Sequence, residues 1–323
     1  MGGHLVLRKY VPPVDENSTN PDLEALVALI NAADDVDGAK LTTTVEQLRR
    51  DMEILPFRPV SETYLTKDEG DLIGYARLVK MVTEEADCFA CRGIVRPDRR
   101  REGIGTRLVQ HALTRARALK GRTPSYFDVE VSTSIAGAGE LARSLDLKPV
   151  RWFLLMGQAL TTELPQLCPV PGIRLQPFVP GRDEDSYLAA FNAAFSTHWG
   201  FFPLTRDDLS AMEVTGWFDP DQTIVAQADG EIVGLCVCTT AAPWLSQDDG
   251  QWALVEDLAV TPGWQRCGLG RALLATTLRQ LHTAGCVGAY LGVDTDNVHG
   301  AKSLYQSMGF EEVMRDVVYR LEI

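Results

Sequence analysis

No apolar run in this 323-residue sequence reaches the roughly 18 residues that a membrane-spanning helix needs. Met1 to Lys9 lacks a long apolar core followed by a small-residue cleavage site, so no leader is read there and a cytoplasmic protein is expected. Positive charge is in deficit, with 31 Lys and Arg against 44 Asp and Glu and a net charge of −13. A chain of that sign is a poor partner for nucleic acid, whose phosphates need a basic surface. Metal-ligand spacing is missing as well. The five histidines, His4, His111, His198, His282 and His299, form no ligand pattern, and Cys88-x-x-Cys91 is followed by no second pair. Strand alternation would send those two thiols to opposite faces, whereas Cys236 and Cys238 would share one face and pack in a core. No metal is expected. Disorder is not indicated either, because the 45% hydrophobic and 23% charged fractions are ordinary for a globular chain.

What the sequence does have is an internal repeat. Arg100-Arg101-Glu102-Gly103-Ile104-Gly105 returns as Gln265-Arg266-Cys267-Gly268-Leu269-Gly270, with Gly103 and Gly268 165 residues apart. Each copy follows an apolar, strand-like run that ends in proline, Gly93 to Pro97 and Asp257 to Pro262, and each opens a helix-like run. Glycines let a backbone approach a ligand closely, and a loop that opens into a helix aims unpaired N–H groups outward, where they favour anions. The pattern suits a pyrophosphate. A Rossmann assignment fails in detail, since Gly268 to Leu273 has no glycine or alanine at its sixth position and the loop lies deep in its domain.

The second copy, Leu254-Val255-Glu256-Asp257-Leu258-Ala259-Val260-Thr261-Pro262 and the loop after it, resembles motif A of the GNAT superfamily, whose members transfer acyl groups from acyl-coenzyme A. Downstream, Asn297, Ala301, Leu304, Tyr305, Gly309 and Phe310 resemble the family's motif B. Two motifs in the right order are far more specific than one glycine loop. The resemblance implies an α/β fold of two tandem GNAT-like domains, each a mixed twisted sheet flanked by helices that splays where the cofactor inserts. It also implies acetyl-CoA as acyl donor, no metal, and a small-molecule amine as acceptor. The double layout and the motif B stretch are similar to those of enzymes that acetylate a cysteinyl amino-sugar conjugate.

Hydrophobic periodicity fits that layout. Strands are predicted at Leu5–Arg8, Ile73–Val79, Cys88–Val95, Tyr126–Val131 and Trp152–Met156, with helices from Pro21 and over Gly105–Leu119. Thr161 to Pro171 reads as a linker between a domain over 1–160 and another over 172–323. In the second half a strand at Ile173–Phe178, a helix through Tyr187–Phe191 and a hairpin turning at Asp229-Gly230 restart the order.

An offset of 163 sets Ala142 against Tyr305 and Ser134 against Asn297, while Arg92 and Gly93 stand near the places of Asp257 and Leu258. Alanine can neither donate nor accept a proton, so the first half is expected to be a degenerate transferase. Its loop, with Arg100, Arg101, Gly103 and Gly105, leaves cofactor binding there open. In the second half the resemblance makes Tyr305 the general acid for the departing thiolate. Glu256 is favoured as general base through water, and alternation allows only one of Glu256 and Asp257 to meet the acceptor. The resemblance further implies coenzyme A contacts from Leu258, Ala259, Val260, Gln265, Arg266, Cys267, Gly268, Leu269, Gly270, Arg271, Asn297 and Lys302. The acceptor side is assigned to His198, Trp199, Phe202 and Asp257, although the aromatics there suit core packing equally well. The rival from another class is a non-catalytic acyl-CoA-binding regulatory module. Oligomeric state is not readable.

Overall fold

A helix begins at Pro21 because Asn20 caps it, its side chain accepting from the Asp22 N–H at 3.0 Å, and it ends at Gly38, whose φ of 76° suits glycine. The computed structural model describes residues 6–12, 20–38, 43–52, 60–82, 86–161, 164–215, 217–240, 246–247, 250–297 and 300–323. Leu5, His4, His299 and residues 162–163 of the expected linker lie outside them.

The elements in chain order are β1 (Val6–Lys9), α1 (Pro21–Asp37), α2 (Val45–Asp51), β2 (Val60–Asp68), β3 (Asp71–Val82), β4 (Asp87–Val95), α3 (Ile104–Leu119), β5 (Ser125–Ser132), α4 (Ala138–Ser144) and β6 (Lys148–Ala159). They continue with β7 (Arg174–Pro177), α5 (Glu184–Phe195), α6 (Arg206–Thr215), β8 (Thr223–Ala228), β9 (Glu231–Thr239), β10 (Ser246–Gln247), β11 (Gly250–Val260), α7 (Leu269–Thr283), β12 (Gly288–Asp294), α8 (Ala301–Ser307) and β13 (Glu311–Glu322). Strands and helices alternate twice, as the two tandem α/β layers require.

Contacts divide the chain into one unit of residues 1–152 with 314–323 and a second of residues 153–313. This departs from the expected boundary. Phe153 to Ala159 pair with β12, so the end of β6 belongs to the second unit, whereas Asp316 to Glu322 pair with β5 in the first. The stretch 161–171 also falls inside the second unit, where Leu164 and Val170 pack on the core and Arg279 donates to the Pro165 carbonyl at 3.0 Å. Alternating apolar residues show that a strand has an inner face but not which sheet it joins.

In the first unit the strands run β1-β2-β3-β4-β5-β13, with β4 and β5 parallel and the rest antiparallel. The second repeats the plan as β7-β8-β9-β11-β12-β6, with β11 and β12 its parallel pair. Each sheet is covered by the helix after its glycine loop. Ile104, Leu108, Ala112 and Ala116 of α3 are buried in the first core, and Leu269, Leu273, Leu274 and Leu278 of α7 in the second. Full burial of each leucine contributes roughly 1.5–3 kcal/mol. Asp229 and Gly230, at φ 49° and 92°, make the predicted hairpin turn between β8 and β9. Among the described residues no helix is long and apolar enough to cross a membrane, and no cluster of His, Cys, Asp and Glu is arranged to hold a metal ion.

Candidate active site

The parallel ladder between β11 and β12 stops at Val255 opposite Leu291, although β11 continues to Val260 and β12 to Asp294. Beyond that point the strands part, and a cavity of about 720 Å³ opens between them. The Thr261 N–H bonds back to the β9 carbonyl of Val233 at 3.0 Å, so by alternation the N–H groups of Leu258 and Val260 face the parted side. The Gln265 side chain ties the loop to this strand end, its Nε2 donating to the Val260 carbonyl at 3.1 Å. Leu258, Ala259, Val260 and Gln265 all line the cavity.

The loop then crosses its mouth. Arg266 and Gly268 take the left-handed φ values 64° and 90°, and no atom lies within 4 Å of where a Cβ on Gly268 would sit. The first backbone bond of α7 runs from the Ala272 N–H to the Gly268 carbonyl at 3.0 Å, and no N–H from Arg266 to Arg271 finds an acceptor among the described residues. A row of open donors at a helix start fits a pyrophosphate. Arg266, Gly268, Leu269, Gly270 and Arg271 line the cavity; Arg271 donates to Ser307 Oγ, and the Arg266 guanidinium lies beside Gly300 at the start of α8. Cys267 and Lys302 do not line it, and Cys267 Sγ instead faces the Trp264 carbonyl at 2.9 Å.

Tyr305 projects from α8 into the same cavity. Its ring is buried, 7% exposed, in contact with Phe310, and its hydroxyl bonds to no described residue. Burial, with Cys236 and the Asp257 charge nearby, pushes its phenol above the ordinary value. The rule that Glu256 and Asp257 face opposite sides fails here. Pairing with β9 slips between Val255, opposite Cys238, and Asp257, opposite Val237, so Glu256 is the extra residue of a β-bulge. A bulge breaks the alternation, and both carboxylates line the cavity. Glu256 is exposed, whereas Asp257 is half-buried and desolvation pushes its carboxyl up to about 6.

On the acceptor side the structure brings His198 and Asn297, 99 positions apart, to 3.3 Å between ring Nε2 and amide Nδ2, both on the cavity wall. An amide nitrogen only donates, so Nε2 accepts. Trp199 and Phe202 are not part of that wall. Trp199 instead packs on Phe153, centroids 6.0 Å apart, and Phe153 lines the cavity in its place. Phe153, Trp264, Asp294, Ser303 and Ser307 are wall residues outside the sequence expectation. Trp264 adjoins the motif, but Phe153 comes from β6 and carries no local signal.

The first unit holds the counterpart, about 540 Å³ in volume, with Arg100, Arg101, Gly103 and Gly105 on its wall. Arg101 and Gly103 sit at φ 68° and 77°, the first α3 bond runs from the Arg107 N–H to the Gly103 carbonyl at 3.1 Å, and Arg100 Nε ties to Val95 at 3.2 Å. The cradle is thus repeated, but Arg100 is also held by Asp37 through two bonds of 2.6 and 2.7 Å. The side chains beside it are not repeated. Ala142, fully buried, occupies the Tyr305 place in α4, and the β3–β4 pairing runs without a slip through Cys91 and Arg92. Arg92, at the Asp257 place, is ion-paired with Glu130.

The chain matches the acetyltransferase (GNAT) family over residues 33–136 and again over 191–310. It is 36% identical over 273 residues to a mycothiol acetyltransferase of Nocardiopsis dassonvillei, covering 80% of this chain and 81% of that one. Its fold superposes on a GCN5-related N-acetyltransferase from Sphaerobacter thermophilus with a TM-score of 0.77 at 25% identity, covering 98% of this chain and 95% of the other. A tandem GNAT protein from the clavulanic acid biosynthesis pathway shares the fold with a TM-score of 0.68 at 18% identity, each chain covered to 98%.

Proposed function

We propose, from the premise that the chain belongs to the acetyltransferase (GNAT) family, that its second unit moves an acetyl group from acetyl-CoA directly to the primary amine of a small molecule. One observation carries this. An unbonded tyrosine hydroxyl and two carboxylates face the same cavity as the open N–H row of Arg266 to Arg271, and the first unit retains only the row.

In the proposed reaction the pyrophosphate rests on that row and the thioester arm enters between β11 and β12. The Val260 N–H faces the parted side and is suited to receive the thioester oxygen as charge develops on it. The incoming ammonium loses a proton to a carboxylate of β11, the neutral amine attacks the carbonyl carbon, and the C–N bond forms. The C–S bond then breaks. Tyr305 gives its proton to the departing sulfur and recovers one from the nitrogen, so the products are amide, thiol and one proton released through the carboxylate. His198, fixed by Asn297, flanks the acceptor.

The relatives' name directs the first choice of acceptor to a mycothiol-type cysteinyl amino sugar. Thiol release from acetyl-CoA across a panel of such conjugates, aminoglycosides and polyamines is expected to rise well above the amine-free rate for at least one member. Binding of acetyl-CoA with no release for any amine would instead support the regulatory module. The first unit, with its cradle intact, is proposed to hold a second coenzyme A without turning it over. Calorimetry should then count two sites per chain and one after Gly103→Val; one site before and after would remove the second.

A further inference from the structure

We propose that Gly292 is a specificity-determining residue for the acceptor: its lack of a side chain keeps open the space over the parted strands in which the amine substrate sits. This rests on the acetyl-transfer reading and adds where the acceptor lies. Gly292 is the first β12 residue past the Val255–Leu291 pair that ends the β11–β12 ladder, and it lines the cavity. Glycine in a strand interior costs stability, so its presence needs a cause. Neighbouring strand glycines show one. A Cβ on Gly288 would meet the Trp252 ring at 2.2 Å, and one on Gly157 would meet the Tyr290 ring at 2.8 Å. At Gly292 no atom of the described residues lies within 4 Å of the Cβ position, and φ is not left-handed. Neither packing nor backbone conformation asks for glycine there. What remains is a ligand that approaches closely.

The direction of a Cβ at this position identifies the ligand. Ala289, Leu291 and Val293 point into the core beneath α7, so alternation turns Gly292 and Asp294 to the opposite face of the sheet. Phe153, paired with Asp294 from β6, shares that face and the cavity wall. A thioester arm that enters between β11 and β12 lies in the plane of the sheet, whereas a side chain at position 292 would stand out of it. A nucleophile attacks a carbonyl from above its plane, and an oxygen held by the Val260 N–H keeps that plane close to the sheet. The amine must therefore arrive over a face. The α7 face is filled by its core, which leaves the face that Gly292 opens.

The repeat supplies the contrast. In the first unit the β4–β5 ladder ends at Cys91 opposite Val129, so Glu130 stands where Gly292 stands. Glu130 lines the first cavity and is ion-paired with Arg92, the residue after Cys91 on the facing strand. Two charged side chains thus bridge the parted strands at the register that the second unit leaves clear. The fold accepts a long side chain there, and glycine in the second unit serves the substrate.

The test compares the parent with Gly292→Ala and Gly292→Val in amine-dependent thiol release from acetyl-CoA, with a cysteinyl glucosamine conjugate, kanamycin and spermidine as acceptors. Melting temperature and acetyl-CoA affinity are measured alongside. Both variants should melt at or above the parent temperature and bind acetyl-CoA as the parent does. The KM of the best acceptor should rise and its kcat/KM fall, more for valine than for alanine, while kcat at saturating amine falls less. At valine the loss should be roughly 10–200-fold, the scale of a methylene-sized change in a substrate pocket. An unchanged kcat/KM for the amine in Gly292→Val overturns the assignment, and so does an equal loss of acetyl-CoA affinity, which would give the space to the thioester arm. A lower melting temperature in Gly292→Ala would make the glycine structural and overturn it as well. A parent that releases no thiol with any of the three amines would contradict the acetyl-transfer reading itself, and the acceptor seat with it.

Discussion

Tyr305→Phe is expected to lower acetyl transfer at saturating acetyl-CoA by roughly 10²–10⁴-fold, the scale on which general-acid loss acts. The substitution removes one oxygen and keeps the ring, which packs against Phe310 and is 7% exposed. That oxygen makes no hydrogen bond within the described residues, so its loss leaves no protein group unsatisfied and the fold should not register it. Burial and the nearby Asp257 charge raise the phenol above its ordinary value, which keeps it protonated and able to donate across the working range. The comparison to make is single-turnover thiol release with coenzyme A affinity measured alongside. A rate within about twofold of the parent would move the acid role to water or another group.

Much of the site was legible because the family motif is local. The glycine loops, the helices they open and the hairpin at Asp229-Gly230 each depend on residues adjacent in the chain, where glycine and turn chemistry act. Tyr305 and Asn297 were singled out from a motif of the same local kind, and both stand on the cavity wall. The bulge at Glu256 was not, because a slip in pairing depends on the partner strand β9 and leaves no mark in the alternation of β11 itself. The expectation that one carboxylate turns away from the cleft failed at that point. Phe153 was missed for a similar reason, since its strand joins β12 from far away in the chain. Trp199 and Phe202 show the converse: aromatics beside a histidine suited a wall and core packing equally, and the cavity wall takes Phe195 and His198 while Trp199 packs on Phe153. The exchange of terminal strands between the two units could not be read from apolar patterning, which is identical whichever sheet receives them.

The central claim is that one repeat reacts and the other does not, and the matched glycine variants test it. Gly268 and Gly103 are equivalent positions, both at positive φ and both with no atom within 4 Å of a built Cβ. Valine at either therefore meets open space and costs the fold about 1–3 kcal/mol in backbone strain, while its branched side chain fills the approach to the cradle. Thiol release from acetyl-CoA in the presence of an accepted amine is measured for both variants, with circular dichroism confirming the fold. Gly268→Val should lose more than roughly 10²-fold in kcat/KM for acetyl-CoA, about 2.7 kcal/mol at 1.36 kcal/mol per tenfold, and Gly103→Val should remain within a few-fold of the parent. Loss of turnover in Gly103→Val with Gly268→Val still active would contradict the account, because it would place the reaction in the unit that lacks the tyrosine and the aspartate.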